Sequence, residues 1–140
     1  MSEESTTRDL VELVHRSVDA VNRRDFAQFA GFFGSDSVWD LSPMGLGVYE
    51  GSSAVLAFVE DWNGSYEEFE LVLEEVLDLG SEVVFAVVCQ RARLTDSTAE
   101  VRMRYASVNS RAGGVFERIT NYTDLGEARA AADRLAQERG

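Results

Sequence analysis

Residues 83–123 read VVFAVVCQRARLTDSTAEVRMRYASVNSRAGGVFERITNYT, and this stretch decides the fold. It contains three runs rich in β-branched and aromatic residues, Val83–Leu94, Ala99–Ser110 and Val115–Thr123, and a further run, Phe69–Leu73, precedes them. Short polar or glycine-containing segments separate the runs, which is the pattern of strands joined as hairpins. Parallel neighbours would need longer crossover connections. The second half of the chain is therefore predicted to form an antiparallel sheet.

Helical patterns flank this sheet on both sides. Apolar residues recur every three or four positions over residues 8–24, which predicts an amphipathic helix. A second helix is expected over about residues 25–33 and a third over about residues 52–62. Asp124, followed three residues later by Glu127, has the spacing of a capping box and predicts a C-terminal helix.

Three helices, a sheet and a closing helix predict an α+β domain. Two short strand candidates, Val38–Leu41 and Val48–Gly51, flank a loop at Ser42–Gly47. Because no linker or internal repeat divides the chain, we expect a short flexible tail at residues 1–7 and a single domain at residues 8–137. A strongly curved sheet wrapped by helices would enclose a cavity against its concave face, and we expect function to reside there.

The composition excludes several classes of function. Acidic residues outnumber basic ones 25 to 13, giving a formal net charge of -12. This charge repels phosphate backbones and anionic lipid, so neither nucleic acid nor a membrane is expected as a partner. No apolar run approaches the roughly 20 residues of a membrane-spanning helix. The first residues lack the apolar core of a secretory signal, so we expect a cytoplasmic protein.

Neither a metal nor another cofactor is expected. The single histidine, His15, excludes a site that needs two imidazoles, and the single cysteine, Cys89, excludes an internal disulfide. Acidic runs at 67–70 and 74–75 would spread over both faces of a strand, so a solvated sheet edge is favoured over a cation site. His15 is expected at the surface and Cys89 as a small buried hydrophobic residue.

A set of phrases along the chain carries a family resemblance. They are VDAVNRRD at 18–25, FGSDSVW at 33–39, GVYEG at 47–51, GVF at 114–116 and NYTDLGEA at 121–128. In order and spacing the chain resembles the nuclear transport factor 2-like superfamily and, within it, the SnoaL-like family of small bacterial proteins, over roughly residues 8–135.

The resemblance implies an α+β cone in which three N-terminal helices wrap a curved antiparallel or mixed sheet, with an added C-terminal helix. It also implies a homodimer formed through the outer face of the sheet and a pocket for a small, largely apolar organic molecule. It does not imply one chemistry, because members of the superfamily include isomerases, cyclases, epoxide hydrolases, dehydratases and inactive proteins.

The ketosteroid isomerases of this superfamily use an aspartate base, a tyrosine on the first helix and a protonated second aspartate. Counted without gaps, the base position falls on Leu41 rather than on Asp40. The tyrosine position falls on or beside Ser17, and the second acid falls on Ala106 or Ser107. The first helix contains no tyrosine, and neither Ala106 nor Ser107 can act as a neutral carboxylic acid. We therefore reject the ketosteroid isomerase mechanism.

A simpler acid–base mechanism is compatible with the sequence. By resemblance, the inward positions of the last strand are Glu117, Ile119, Asn121 and Thr123. Glu117 is therefore a candidate catalytic acid, and Asn121 could orient a water molecule. Asp40 is a second candidate, on the condition that a one-residue bulge turns it from the face opposite Leu41 into the cavity.

Two hypotheses follow. The first is a cofactor-independent isomerase, cyclase or hydrolase that uses Glu117 or Asp40. The second is a ligand-binding or dimeric structural module of the same fold, without catalysis. In both, the residues expected to contact the ligand are Trp39, Leu41, Trp62, Ser107, Ile119, Asn121 and Arg91. Arg91 could bind a carboxylate in the pocket or pair with an acidic side chain on a neighbouring strand.

Overall fold

The computed structural model describes residues 3–140, with side chains described from residue 10 onward. The helices are α1 (Glu3–Asn22), α2 (Phe26–Gly31), α3 (Ser52–Gly64) and α4 (Leu125–Arg139), and a 3-10 turn spans Ser42–Met44. The strands are β1 (Phe33–Asp40), β2 (Val48–Glu50), β3 (Tyr66–Gly80), β4 (Val83–Leu94), β5 (Glu100–Ala112) and β6 (Val115–Tyr122). None of the helices within residues 3–140 is long and apolar enough to cross a membrane.

Three elements are longer than the sequence pattern suggests. Strand β1 begins at Phe33, whereas the strand candidate began at Val38. Helix α1 begins at Glu3, so residues 3–7, which were expected as a tail, are helical, while residues 1 and 2 lie outside the described residues. Strand β3 runs from Tyr66 to Gly80, and the expected run at Phe69–Leu73 is only its middle. Register shifts along its pairing with β4 accommodate this length.

All six strands form one mixed, curved sheet in the order β2-β1-β6-β5-β4-β3. Neighbouring strands are antiparallel except β1 and β6, which are parallel. The expected α+β fold class is confirmed. At the start of α4 the Asp124 carboxylate accepts a hydrogen bond from the backbone N–H of Glu127 at 2.9 Å, as the capping pattern predicts.

A β-bulge interrupts the pairing of β6 with β5. Ser110 lies opposite Arg118, whereas the next residue of β5, Arg111, lies opposite Phe116. Glu117 is therefore the extra residue of β6, with no partner across the ladder. The pairing of β1 with β6 shifts register in the same region. A bulge of this kind reverses the side-chain alternation on one side of itself.

The bulge decides which side chains of β6 face inward. Phe116, Ile119 and Asn121 are all at least nine-tenths buried. In a regular strand Phe116 and Ile119 would face opposite sides of the sheet, because they are three residues apart. Phe116 and Ile119 belong to the same core, between the concave face of the sheet and helices α1 to α3. Glu117 is exposed, because the bulge takes it out of the alternation that the sequence alone predicts.

A second, smaller core lies between the outer face of the sheet and α4. Ala128 and Ala132 of α4 are fully buried there against Phe85, Val87 and Val108 of the sheet. Their small side chains allow the helix to approach the strands closely. Helix α4 therefore covers the apolar part of the outer face within one chain.

Arg139 attaches the end of α4 to the sheet. Its guanidinium donates to the carbonyl oxygen of Ser81 at 2.9 Å, to that of Arg111 at 3.2 Å and to the Glu117 carboxylate at 2.6 Å. The Ser110 hydroxyl also donates to Glu117, at 3.0 Å. The bulged residue is thus part of the contact that holds α4 in place.

We predict that Arg139→Ala lowers the free energy of unfolding by about 1 kcal/mol, because it removes several hydrogen bonds, one of them charge-assisted but partly exposed. Chemical denaturation measures this difference. Gln137→Ala, an exposed position on the same turn, is the matched control and should change stability by less than about 0.5 kcal/mol. Equal effects of the two substitutions would contradict the role given to Arg139.

Candidate ligand-binding cavity

A cavity of about 50 Å³ lies between α1 and the concave face of the sheet. Its walls are mainly apolar. They come from helices α1, α2 and α3 and from strands β1, β3, β4, β5 and β6. The lining side chains are Val14, Ser17, Val18, Val21, Phe29, Trp39, Trp62, Leu71, Leu73, Val88, Tyr105, Ser107, Asn109, Ile119 and Asn121. The sheet's curvature, which keeps its centre away from the helices, leaves this space open.

One face of α1 forms a wall of the cavity. Its lining residues recur at the three- and four-residue spacing of one helical face: Val14, Ser17, Val18 and Val21. The end of α1 is tied to β3, the edge strand of the sheet, by Asn22. The Asn22 amide donates to the Leu71 carbonyl at 2.9 Å and accepts from the Leu71 N–H at 2.7 Å. This pair of bonds fixes the distance between the helix and the sheet.

The two tryptophans of the chain both line the cavity. Trp39 enters from β1, and Trp62 from α3. Their ring centroids lie 6.2 Å apart at 66°, and Phe58 packs edge-on against Trp39 at 5.3 Å. Edge-to-face contacts of this kind stabilise aromatic clusters beyond the area they bury. The tryptophans therefore form a continuous aromatic part of the wall.

Hydrogen bonds within the cavity wall orient its amide groups. The Trp39 indole N–H donates to Oδ1 of Asn121 at 3.4 Å. The Asn109 amide donates to the Val84 carbonyl at 3.2 Å and to the Ser107 hydroxyl oxygen at 3.0 Å. Ser107 and Asn121 are directly opposite each other on β5 and β6.

Tyr105 is the only ionisable side chain among the described residues that line the cavity. It lies two residues before Ser107 on the same face of β5, and it is 5% exposed. Burial raises the pKa of its phenol. The hydroxyl therefore keeps its proton throughout the neutral range.

The described cavity lining contains no carboxylate, imidazole, guanidinium, amine or thiol. His15 is exposed on α1, on the side away from Val14 and Ser17. Cys89 is partly buried, and strand alternation places it on the face opposite Val88, which lines the cavity. Within the described residues, no group of three or more His, Cys, Asp or Glu side chains is arranged to hold a metal ion.

Asp40 lies on the face of β1 opposite Trp39, outside the cavity lining. The bulge that would have turned it inward is absent, because the register shift of β1 lies before Val38. One carboxylate oxygen accepts from the backbone N–H and the hydroxyl of Ser42 at 2.9 and 2.6 Å, and the other accepts from Arg118. Asp40 thus anchors the 3-10 turn that follows β1.

These contacts also set the protonation of Asp40. Burial alone would raise the pKa of its carboxyl, but the hydrogen bonds from Ser42 and the Arg118 guanidinium outweigh burial. The pKa of Asp40 consequently lies below its ordinary value. A carboxylate held in its charged form by three donors is a poor proton acceptor at neutral pH.

Glu117 and Arg91 also lie outside the cavity. The bulge directs Glu117 to Arg139, so the expected inward position of Glu117 is not the one observed. Arg91 pairs with Glu70 at 3.3 Å and approaches Glu100 at 3.7 Å. This is the cross-strand pairing that was the alternative to a pocket role.

The structure brings most of the expected ligand residues together. Trp39, Trp62, Ser107, Ile119 and Asn121 all line the cavity, whereas Leu41 is 2% exposed in the surrounding core and does not line it.

Sequence reasoning did not single out Tyr105 and Asn109. Strand alternation outward from Ser107 was the signal that could have found them, because both lie two residues from it along β5.

We predict that Asp40→Asn destabilises the fold by about 1–2 kcal/mol at neutral pH, because the variant loses a charged hydrogen-bond acceptor. The folded-state pKa lies below the unfolded value of about 3.9. The stabilisation is therefore fully present above that value and is lost as the pH falls through the folded-state pKa. Denaturation of both proteins between neutral and acidic pH should show the difference shrinking, while the exposed Asp36→Asn control changes little. A constant difference would contradict this role.

The chain matches the SnoaL-like domain over residues 14–121. It is similar to a Burkholderia pseudomallei nuclear transport factor 2-like protein of unknown function (21% identity, 89% of this chain and 97% of that one, TM-score 0.71). It is also similar to a Catenulispora acidiphila protein with a ketosteroid isomerase-like fold, in complex with trimethylamine (12% identity, 86% of this chain and 92% of that one, TM-score 0.72). A third similar structure is that of an M. tuberculosis epoxide hydrolase (15% identity, 91% of this chain and 91% of that one, TM-score 0.70). No curated protein matches the chain. The chain belongs to the SnoaL-like domain family.

Proposed function

We propose that this protein binds a small, largely apolar organic molecule in the cavity, without carboxylate acid–base catalysis. The observation that carries the proposal is the composition of the cavity wall. Apolar and aromatic side chains dominate it, a few neutral polar groups converge on it, and none of its described members is an acid or a base near neutral pH. Apolar walls with a small number of placed polar groups are typical of small-molecule sites.

The positions of the two candidate acids support binding rather than catalysis. Proton transfer requires a group within hydrogen-bond reach of the reacting atom. Asp40 is held by Ser42 and Arg118, and Glu117 by Arg139, and both are outside the cavity lining. Cyclase, isomerase or epoxide hydrolase chemistry of the expected kind would need one of these carboxylates inside. We therefore favour the non-catalytic hypothesis.

The size of the cavity restricts the ligand. At about 50 Å³ it is roughly one third of the volume, about 150 Å³, of an engineered cavity that binds benzene. A molecule of a few heavy atoms fits without rearrangement, and a larger one requires its walls to separate. The trimethylamine complex of the Catenulispora acidiphila relative is consistent with a small ligand in this fold.

The homodimer and the bacterial source expected from the resemblance, and the cytoplasmic location expected from the first residues of the sequence, are retained as parts of this proposal. A dimer through the outer face would use the surface that α4 leaves free. There the side chains are mostly charged and paired within the chain, as in the contact of Arg104 with Glu74 at 2.6 Å. Such an interface would be more polar than the part of the sheet under α4.

We predict that Ser17→Leu abolishes ligand binding. Ser17 is 6% exposed and lines the cavity from α1, so a leucine there would fill much of the available volume. Native mass spectrometry of the protein purified from its producing cells, with and without the substitution, measures the bound molecule. The wild type should carry a small-molecule adduct that the variant lacks.

His15→Leu is the matched control, because His15 is two residues away on the same helix and exposed. It should retain the adduct. Overpacking at Ser17 is expected to cost about 1–3 kcal/mol, so thermal unfolding of each variant first establishes that it is folded. An adduct that persists in folded Ser17→Leu would place the ligand elsewhere and contradict the proposal.

A further inference from the structure

We propose that the ligand is uncharged and carries a carbonyl oxygen, which accepts hydrogen bonds from the Tyr105 hydroxyl and the Asn121 amide. This inference rests on the proposed function and specifies its ligand class. It follows from the donors that the cavity wall leaves unused.

Tyr105 provides the first donor. The residue is 5% exposed, and it lines the cavity. No described protein group accepts a hydrogen bond from its hydroxyl. Among the described residues, its oxygen is not one of the fully buried side-chain atoms without a hydrogen-bond partner, which are Asn63 Oδ1, Gln90 Oε1 and Arg91 Nε. The hydroxyl therefore faces open space in the cavity, where a ligand acceptor can reach it. Its partner is therefore expected to come from the occupant of the cavity.

Asn121 provides the second donor. Its Oδ1 already accepts from the Trp39 indole, which fixes the amide with its Nδ2 on the other side. No described protein group accepts from that Nδ2. Asn121 is 3% exposed, so its free donors, like that of Tyr105, can be satisfied only inside the cavity.

The strand register places the two donor residues on neighbouring strands, in diagonal positions on the same face of the sheet. Asn121 lies directly opposite Ser107, and Tyr105 lies two residues from Ser107 on the same face of β5. Tyr105 and Asn121 are therefore diagonal neighbours, about 7–8 Å apart at the backbone, a separation that long and aromatic side chains bridge. The Ser107 hydroxyl, between them, accepts from Asn109 and can still donate.

The balance of donors and acceptors selects the ligand chemistry. Tyr105 and Asn121 each keep an unused donor, so we expect the ligand to supply an acceptor. The wall also contains one acceptor, Asn109 Oδ1, to which no described group donates. Because no described lining residue carries a charge at neutral pH, an ammonium or carboxylate ligand would lose its hydration without gaining a counter-ion. A ketone or similar carbonyl compound meets both conditions.

The test compares three probes of similar size. They are 2-butanone, its hydrocarbon isostere 2-methyl-1-butene, and trimethylammonium at pH 7. Binding is followed by NMR through the two indole N–H signals, since both tryptophans line the cavity. We expect 2-butanone to bind roughly thirty-fold more tightly than the alkene, which is the effect of two net hydrogen bonds, and trimethylammonium to bind most weakly.

Tyr105→Phe removes only the unpartnered hydroxyl. It should weaken 2-butanone binding roughly three- to ten-fold, the range of one net hydrogen bond, and leave the alkene unchanged. Tyr122→Phe is the matched control, because Tyr122 packs against the second core on the outer face and should alter neither affinity. The wild-type comparison of the probes stands on its own should a variant fold poorly.

The outcomes separate the two proposals. If the ketone and the alkene bind equally, or trimethylammonium binds as tightly as the ketone, the carbonyl assignment is overturned while the cavity remains a binding site. If Tyr105→Phe leaves the preference for the ketone intact, the role of Tyr105 is overturned. If none of the probes shifts either indole signal, the proposed function itself is contradicted.

Discussion

The bulge at Glu117 determines which chemistry this protein can present to a ligand. By adding one residue to β6, it allows Phe116 to fill the core while Ile119 and Asn121 line the cavity. The same irregularity sends the Glu117 carboxylate to Arg139 at the end of α4. A strand of perfect alternation with Asn121 inward would direct Glu117 inward as well. One inserted residue thus converts a potential acid into a structural contact.

The cavity that results is neutral, and its polarity comes from uncharged hydroxyl, amide and indole groups that include both donors and acceptors. The Trp39 indole donates a hydrogen bond to Asn121, and the Asn109 amide donates one to Ser107. Tyr105 is protonated because burial raises the pKa of its phenol. An apolar enclosure strengthens each of these hydrogen bonds and raises the cost of leaving one unmade. Such a wall is suited to selecting an uncharged molecule, and it offers no described group for proton transfer at neutral pH.

Much of the fold was predictable because it depends on local patterns. The helical spacing of α1, the hairpin turns and the Asp124 cap are all readable from neighbouring residues. The inward direction of Glu117 was not correctly predicted, because a bulge depends on pairing between strands that are distant from the pattern being read. The sequence patterns did not single out Tyr105, although the alternation of strand side chains, followed outward from Ser107, places it on the cavity face of the sheet. The pairing of Arg91 with Glu70 depends on the β3–β4 register, which the sequence left open.

The proposed binding site has a lining in which no described residue titrates near neutral pH. The most direct measurement is the affinity for 2-butanone between pH 5 and 9, followed by the indole signals of the two tryptophans. We expect a constant affinity across this range, because Tyr105 remains protonated and the carboxylates of Asp40 and Glu117 lie outside the cavity. A sigmoidal change in affinity within the range would reveal an ionisable group in contact with the ligand and would contradict a neutral binding site.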